Sequence, residues 1–178
     1  MRWATNRCVL ALFLMGALFE GMPMSRADDA KQETKSRGPV TVTNEARAIH
    51  RSAILVDGHN DLPWQFREKK DLSFQKLDIN RRQPKLHTDI PRLREGGVGV
   101  QFWAAYVPAD TAGKHTAVKM TLEQIDVIHR MVDAHPKDFA FAGSVADIFR
   151  IHKEGKIACL IGVEGGHSID NSLGVLRT

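Results

Sequence analysis

The run Ile157-Ala158-Cys159-Leu160-Ile161-Gly162-Val163 has no polar side chain at either its odd or its even positions; it follows Gly155 and ends on Glu164-Gly165-Gly166-His167. A strand apolar at both parities suits a parallel sheet, where helices or a packed interior cover both faces. Two earlier stretches share this character. Ala53-Ile54-Leu55-Val56 stops at Asp57-Gly58, and Val98 to Tyr106 (VGVQFWAAY) is apolar almost throughout and is followed by Pro108. All three are expected to be buried strands.

Helical patterns separate them. Thr43 is placed to cap a short helix running through His50. A second helix is predicted over 89–95, with Pro91 in its first turn, where a missing N–H breaks no bond, and Gly96-Gly97 at its end. From Thr116 to Ala134 the apolar residues Val118, Leu122, Ile125, Ile128 and Val132 recur at spacings of three and four, which predicts one buried stripe ended by Pro136. Ser144 and Asp147 form a capping-box pattern for a helix to about Lys153, and a further helix is expected near Ser168. Alternating strands and helices give an α/β fold with a parallel sheet. Both an open doubly wound sheet and a TIM-like (β/α)8 barrel fit; a barrel takes about 250 residues, so this chain would supply only its first part.

With 43% hydrophobic and 26% charged residues among 178, the composition is that of a globular domain and excludes a disordered or multi-pass membrane chain. Arg2 and Arg7 precede the apolar stretch Val9 to Phe19, and Ser25-Arg26-Ala27 offers small residues at a cleavage site. Residues 1–27 therefore read as a signal peptide, too short in its apolar part for the roughly 20 residues of a membrane span. The expected destination is periplasmic or extracellular, with no transmembrane domain. Cleavage would remove three arginines and one glutamate and lower the formal charge from +4 to +2. No basic run remains, so nucleic acid is not an expected partner. Residues 28–42 form a polar linker, and the domain is expected over 43–178. Cys8 leaves with the signal, which makes Cys159 a core thiol without a disulfide partner.

Ligands of parallel α/β folds gather at the carboxyl ends of the strands. The first strand runs into Asp57-Gly58-His59-Asn60-Asp61 and the third into Glu164. His59 and Asp61, two apart, would leave an extended chain on one face, and imidazole with carboxylate suits zinc or a similar divalent ion. The alternative is a tight turn with a hydrogen-bonded histidine. Glu164 follows a buried strand between small residues, where a charge needs a partner. It could bridge two cations about 3.5–4 Å apart and serve catalysis by holding a shared hydroxide nucleophile, or it could pair with an arginine. His167 is either a ligand or a helper near a helix start. Trp64, Trp103 and Tyr106 are candidates for a pocket wall, Trp64 for substrate binding, though aromatic residues beside strands also simply pack. His50, His87, His115, His129, His135 and His152 receive no role.

Four blocks, DGHNDLPWQ (57–65), GVGVQFWAAYVP (97–108), TLEQIDVIHRM (121–131) and GVEGGHSIDNSLGVLR (162–177), closely resemble the membrane (renal) dipeptidases, peptidase family M19. The resemblance implies a TIM-like barrel with two zinc ions that hydrolyses dipeptides, some with a D-residue at the carboxyl end. By motif, His59 and Asp61 would bind one zinc and Glu164 would bridge both. The family's remaining ligands and substrate-holding residues fall beyond Thr178, so the 178-residue product alone is expected to be poorly folded and inactive. A homodimer stays open. Two other readings also remain: another metal-dependent amidohydrolase, and a secreted remnant that binds a metal or a partner without turnover.

Overall fold

The computed structural model describes residues 38–178. The expected signal peptide, and the linker up to residue 37, lie outside the described residues.

The elements in chain order are α1 (Asn44–Ser52), β1 (Leu55–Asn60), α2 (Leu62–Glu68), α3 (Ile90–Glu95), β2 (Val98–Ala105), α4 (Asp110–Gly113), α5 (Ala117–Ala134), β3 (Phe139–Phe141), α6 (Val145–Lys153), β4 (Ile157–Val163), a 3-10 turn (Gly166–Ile169) and α7 (Leu173–Leu176). The four strands form one sheet in the order β1-β2-β4-β3, and every pairing is parallel. β3 escaped the sequence reading because three residues, Phe139-Ala140-Phe141, are too few to show a period; it pairs with the start of β4, Phe139 opposite Ile157.

The caps expected at Thr43 and Ser144 form, and Asp89, expected as the first helical residue, caps α3. The hydroxyl of Thr43 accepts from the Ala46 N–H, Asp89 accepts from the Arg92 N–H, and Ser144 accepts from the Asp147 N–H while Asp147 accepts from the Gly143 N–H. The Ala46, Arg92 and Asp147 N–H groups are first-turn donors that a helix itself leaves unpaired, while the Gly143 N–H lies just before the cap of α6.

Strand parity sorts the core into two clusters. Trp103 and Ala105 of β2 and Ile157 and Cys159 of β4 join Leu62 and Phe66 of α2, Ile90 and Leu93 of α3, and Val127, Ile128 and Met131 of α5. Val100 and Ala158, of opposite parity, pack with Ile151 of α6, with Phe102 and Leu160 against them. Both faces of β2 and of the first half of β4 are thus covered, as their apolar runs required.

Three expectations fail in detail. β1 is not buried: Leu55 is 37% and Val56 54% exposed, because β1 has only β2 beside it among the described residues and α1 buries none of its residues. It also runs on through Asp57-Gly58 to Asn60. On α5 the buried face is Ala117, Thr121, Gln124, Val127, Ile128, Met131 and Val132, with Leu122 62% exposed. That face is rotated from the apolar stripe because it admits two polar residues with partners: Thr121 Oγ1 donates to the Ser168 carbonyl at 3.2 Å, and Gln124 Oε1 accepts from Arg67 Nε at 3.1 Å. The helix expected near Ser168 is a 3-10 turn and the short α7, interrupted by Asp170 and Asn171 at positive φ (51° and 53°).

Candidate metal centre

The carboxyl ends of β1 and β4 bring together the three residues singled out in the sequence. His59 Nε2 lies 3.2 Å from Asp61 Oδ2 and 3.5 Å from Glu164 Oε2, and one ligand atom of each residue falls within 4.8 Å of the others. His59 stands near the end of β1 and Asp61 at the N-cap of α2; Pro63 in the first turn of α2 opens the helix immediately behind them. Glu164 is fixed at the end of β4 by its own backbone. Its N–H donates to the Ala105 carbonyl at 3.4 Å, and its carbonyl accepts from Ser168 Oγ at 2.6 Å.

Whether a cation fits can be judged from Glu164 itself. The side chain as a whole is 40% exposed, but its Oε2 atom is buried and, with His59 Nε2 at 3.5 Å, accepts no hydrogen bond. A buried carboxylate oxygen without a donor is costly, and a divalent ion held with an imidazole nitrogen and a second carboxylate would satisfy it. Nitrogen and oxygen donors of this kind suit zinc and its neighbours better than calcium. No arginine takes the place of that ion: among the described residues Glu164 pairs only with His59.

His167 is not part of the cluster. Its Nε2 is 2.8 Å from the Val107 carbonyl, so it ties the turn after Glu164 to the end of β2. Gly165, at φ 79°, makes that possible, since a Cβ there would stand 2.5 Å from the imidazole. Trp103 is fully buried in the core, and Trp64 meets Tyr106 edge-on with centroids 5.1 Å apart. Trp103 nonetheless borders one of the two cavities that adjoin His59, and neither Trp64 nor Tyr106 lines either of them.

Those cavities are a pocket of about 410 Å³ walled by His59, Asp61, Gln65, Lys85 and His87, and a cleft of about 370 Å³ between Gly58, His59, Ala104, Gly162 and Glu164. Lys85 and His87 were missed because they sit in an irregular stretch with no periodicity to read. Two buried carboxylates hold that stretch in place. Asp71 accepts from the Lys76 and Leu77 N–H groups, both at 2.7 Å. Asp89 accepts from the Gln83 N–H and from Arg92 Nε, and Arg92 Nη2 in turn donates to the Gln83 and Leu86 carbonyls. Burial works to raise both carboxyl pKa values, but the backbone donors, with Ser73 at Asp71 and Arg92 at Asp89, outweigh it and hold both below the usual range. The signal for these anchors was present as isolated aspartates, but nothing in the sequence marked them as buried.

Residues 43–178 match the family model of the membrane dipeptidases, peptidase family M19. The chain belongs to that family. Mouse dipeptidase 3 is 47% identical over 135 residues, covering 75% of this chain and 26% of its own length, and human dipeptidase 3 is 46% identical over 134 residues with the same shares. Dipeptidase ataJ of Aspergillus terreus is 45% identical over 130 residues, which are 69% of this chain and 32% of that protein. The chain thus spans about a quarter to a third of the length of these relatives. Two solved structures share its fold at a TM-score of 0.56: dipeptidase AC, a metallopeptidase of family M19 (24% identity, 69% of this chain and 38% of that one), and a metallopeptidase of Rhodobacter sphaeroides liganded with a phosphinate mimic of the dipeptide L-Ala-D-Ala (22% identity, 69% and 41%). With these neighbours, the parallel sheet is that of the TIM-like barrel of M19 dipeptidases, and the open doubly wound alternative falls away. No helix of the described residues is long and apolar enough to cross a membrane.

Proposed function

We propose that the protein is an exported zinc-dependent dipeptidase whose site is built on His59, Asp61 and Glu164. The observation that carries this reading is the meeting of the three side chains at the ends of β1 and β4, with a buried Glu164 oxygen that no hydrogen bond satisfies. His59 and Asp61 would hold one ion from the β1 side. Glu164, reaching from β4, has two oxygens and can serve a second ion as well as the first. Zinc bound there supplies a water acidified to near neutral pH and a Lewis acid for the peptide carbonyl.

The chain's own residues contribute position and access. The cleft, bordered also by Phe102, Trp103 and Val163, runs past Gly58, Ala104, Gly162 and Gly165, whose small size leaves room for a backbone-sized group beside Glu164. The neighbouring pocket sets Lys85 and Gln65 within reach of a short polar substrate. Small dipeptides, including those with a D-residue at the carboxyl end, fit both the family and the ligand of the Rhodobacter sphaeroides neighbour. Export would follow from residues 1–27, which carry the signal-peptide pattern.

The test is hydrolysis of L-Ala-D-Ala and L-Ala-L-Ala by the protein as its gene encodes it, followed as alanine release with zinc present and after chelation. Zinc-dependent turnover that His59→Ala and Glu164→Gln both abolish is expected. Turnover that survives chelation and both substitutions would overturn the assignment.

A further inference from the structure

We infer that the buried side chain of Gln101, with Thr88 and Asn60, is a positioning device that aims His59 at the metal site by holding a β-bulge at Gly58-His59. The inference rests on the metal centre proposed above and assigns a role to residues outside it.

The bulge is visible in the register. Asp57 lies opposite Gln101 and Asn60 opposite Trp103, so two residues of β1, Gly58 and His59, face the single residue Phe102 of β2. An extra residue shifts the phase of a strand by one and sends every later side chain to the other face. The contacts show that shift. Asp57 and Asn60 are three apart and would point to opposite faces of a regular strand, yet Asn60 Nδ2 lies 3.4 Å from Asp57 Oδ2. Both are therefore on the Gln101 and Trp103 face of the sheet, and His59 and Asp61 are on the opposite face, with Ala104, Gly162 and Glu164. Without the bulge, an Asp57 in its present place would put His59 on the wrong side of β1.

Gln101 spans this irregularity. It is fully buried, and its amide reaches both sides of the bulge: Nε2 donates to the Asp57 carbonyl at 3.4 Å, and Oε1 accepts from Asn60 Nδ2 at 3.3 Å. Asn60 Nδ2 also donates to Thr88 Oγ1 at 3.1 Å, and Thr88 donates back to Asn60 Oδ1 at 3.2 Å. The two ligand residues are held from within β1 as well. The His59 N–H donates to Asp57 Oδ1, and the Leu62 N–H, just after Asp61, donates to Asn60 Oδ1. A buried glutamine on an apolar strand is expensive unless its amide is used, and here Nε2 serves both the Asp57 carbonyl beside the bulge and, at 3.1 Å, the carbonyl of Phe102 opposite it. Partners that orient metal ligands affect affinity by about 10–100-fold when removed.

The test compares wild type with Gln101→Met, which keeps the side-chain length and removes both polar atoms, and with Thr88→Val and Thr88→Ser. Dissociation constants for Zn2+ are measured by competition with a chelating dye, with Co2+ absorption reporting ligand geometry and thermal melts of the metal-free forms reporting the fold. Gln101→Met and Thr88→Val are expected to bind Zn2+ about tenfold or more weakly with an altered Co2+ spectrum, Thr88→Ser to bind as wild type does, and the metal-free melts to stay close together. If wild type binds and the two variants bind equally well, the positioning role is overturned and the metal centre stands. Equal weakening in Thr88→Ser would remove the hydroxyl as the cause and overturn it too, as would weakening confined to variants whose metal-free form has already unfolded. A wild-type protein that takes up no divalent ion sinks both readings.

Discussion

His59 Nε2 stands 3.5 Å from Glu164 Oε2 although their strands, β1 and β4, are not neighbours: β2 runs between them. They meet because, on the face they share, β2 offers only Ala104, opposite Gly162 of β4, so two long side chains can close over a low stretch of sheet. A cation bound between them would tie the two strands together in the folded state alone. Zinc at about a hundred times its dissociation constant should then stabilise the protein by about 2.7 kcal/mol, seen as a rise in thermal midpoint. His59→Ala and Glu164→Gln should abolish the rise. A midpoint indifferent to zinc in the wild type would contradict the centre.

Asp89 should give the fold an acid limit. Its carboxyl lies below its ordinary value in the folded state, since the Gln83 and Arg92 donors outweigh the burial that opposes them. As pH falls, the unfolded chain therefore takes up the proton first. The contribution is complete above about pH 5 and is lost as pH drops through 4 and towards the lower folded value. Asp89→Asn leaves Arg92 and the Gln83 N–H without their charged acceptor and should cost about 2–3 kcal/mol at neutral pH. Denaturant titrations between pH 3 and 7 should show a shallower pH dependence in the variant; parallel curves would refute the assignment. Because Asp89 and Arg92 hold the stretch that carries Lys85 and His87, the pocket beside His59 should loosen with it.

Cys159 should be chemically silent. Burial in the main cluster pushes its thiol up to about 12, so almost no thiolate exists near neutral pH. Iodoacetamide at pH 8 is expected to leave Cys159 unmodified in the native protein and to alkylate it in denaturant, as peptide mass mapping would read. Rapid native labelling at this position would mean that β4 opens readily or that the core is looser than its packing indicates.

The sequence carried the parallel architecture because that architecture is written in runs, caps and glycines, all of them local. Ile157–Val163 is a strand to the residue, and Thr43, Asp89 and Ser144 all cap as their neighbours require. What it could not carry were features set by a distant partner. Leu55 and Val56 are as apolar as any core strand, and only the sheet order leaves them at an edge. His59, Asp61 and Glu164 were legible as ligand candidates, joined at one site by the family resemblance, whereas Lys85 and His87 needed the loop to be folded before they could be seen beside them. On α5, polarity misled: Thr121 and Gln124 are buried because Ser168 and Arg67 answer them. The difference is measurable. Leu122→Glu, on the exposed side, should change stability by no more than about 0.5 kcal/mol, while Met131→Ala in the core should cost about 2–5 kcal/mol in denaturant unfolding. The opposite ranking would restore the simple apolar stripe.

Gly165 offers the sharpest single-residue test of how Glu164 is held. Its backbone, at φ 79° and ψ 142°, lies where side-chain-bearing residues rarely go, at a cost of about 1–3 kcal/mol. A methyl group there would also stand 2.5 Å from the ring of His167, whose Nε2 meets the Val107 carbonyl. Gly165→Ala must therefore displace the imidazole, move the turn, or both, and either route drags on the Glu164 carbonyl that Ser168 grips from the same turn. The expected outcome is a loss of about 1–3 kcal/mol in stability together with weaker zinc binding. His167→Phe, which removes the bond to Val107 but leaves Gly165 free, separates the two effects. It should weaken zinc binding less than Gly165→Ala does, because the backbone that aims Glu164 keeps its conformation; a larger effect would make His167, and not the glycine, the element that sets the carboxylate.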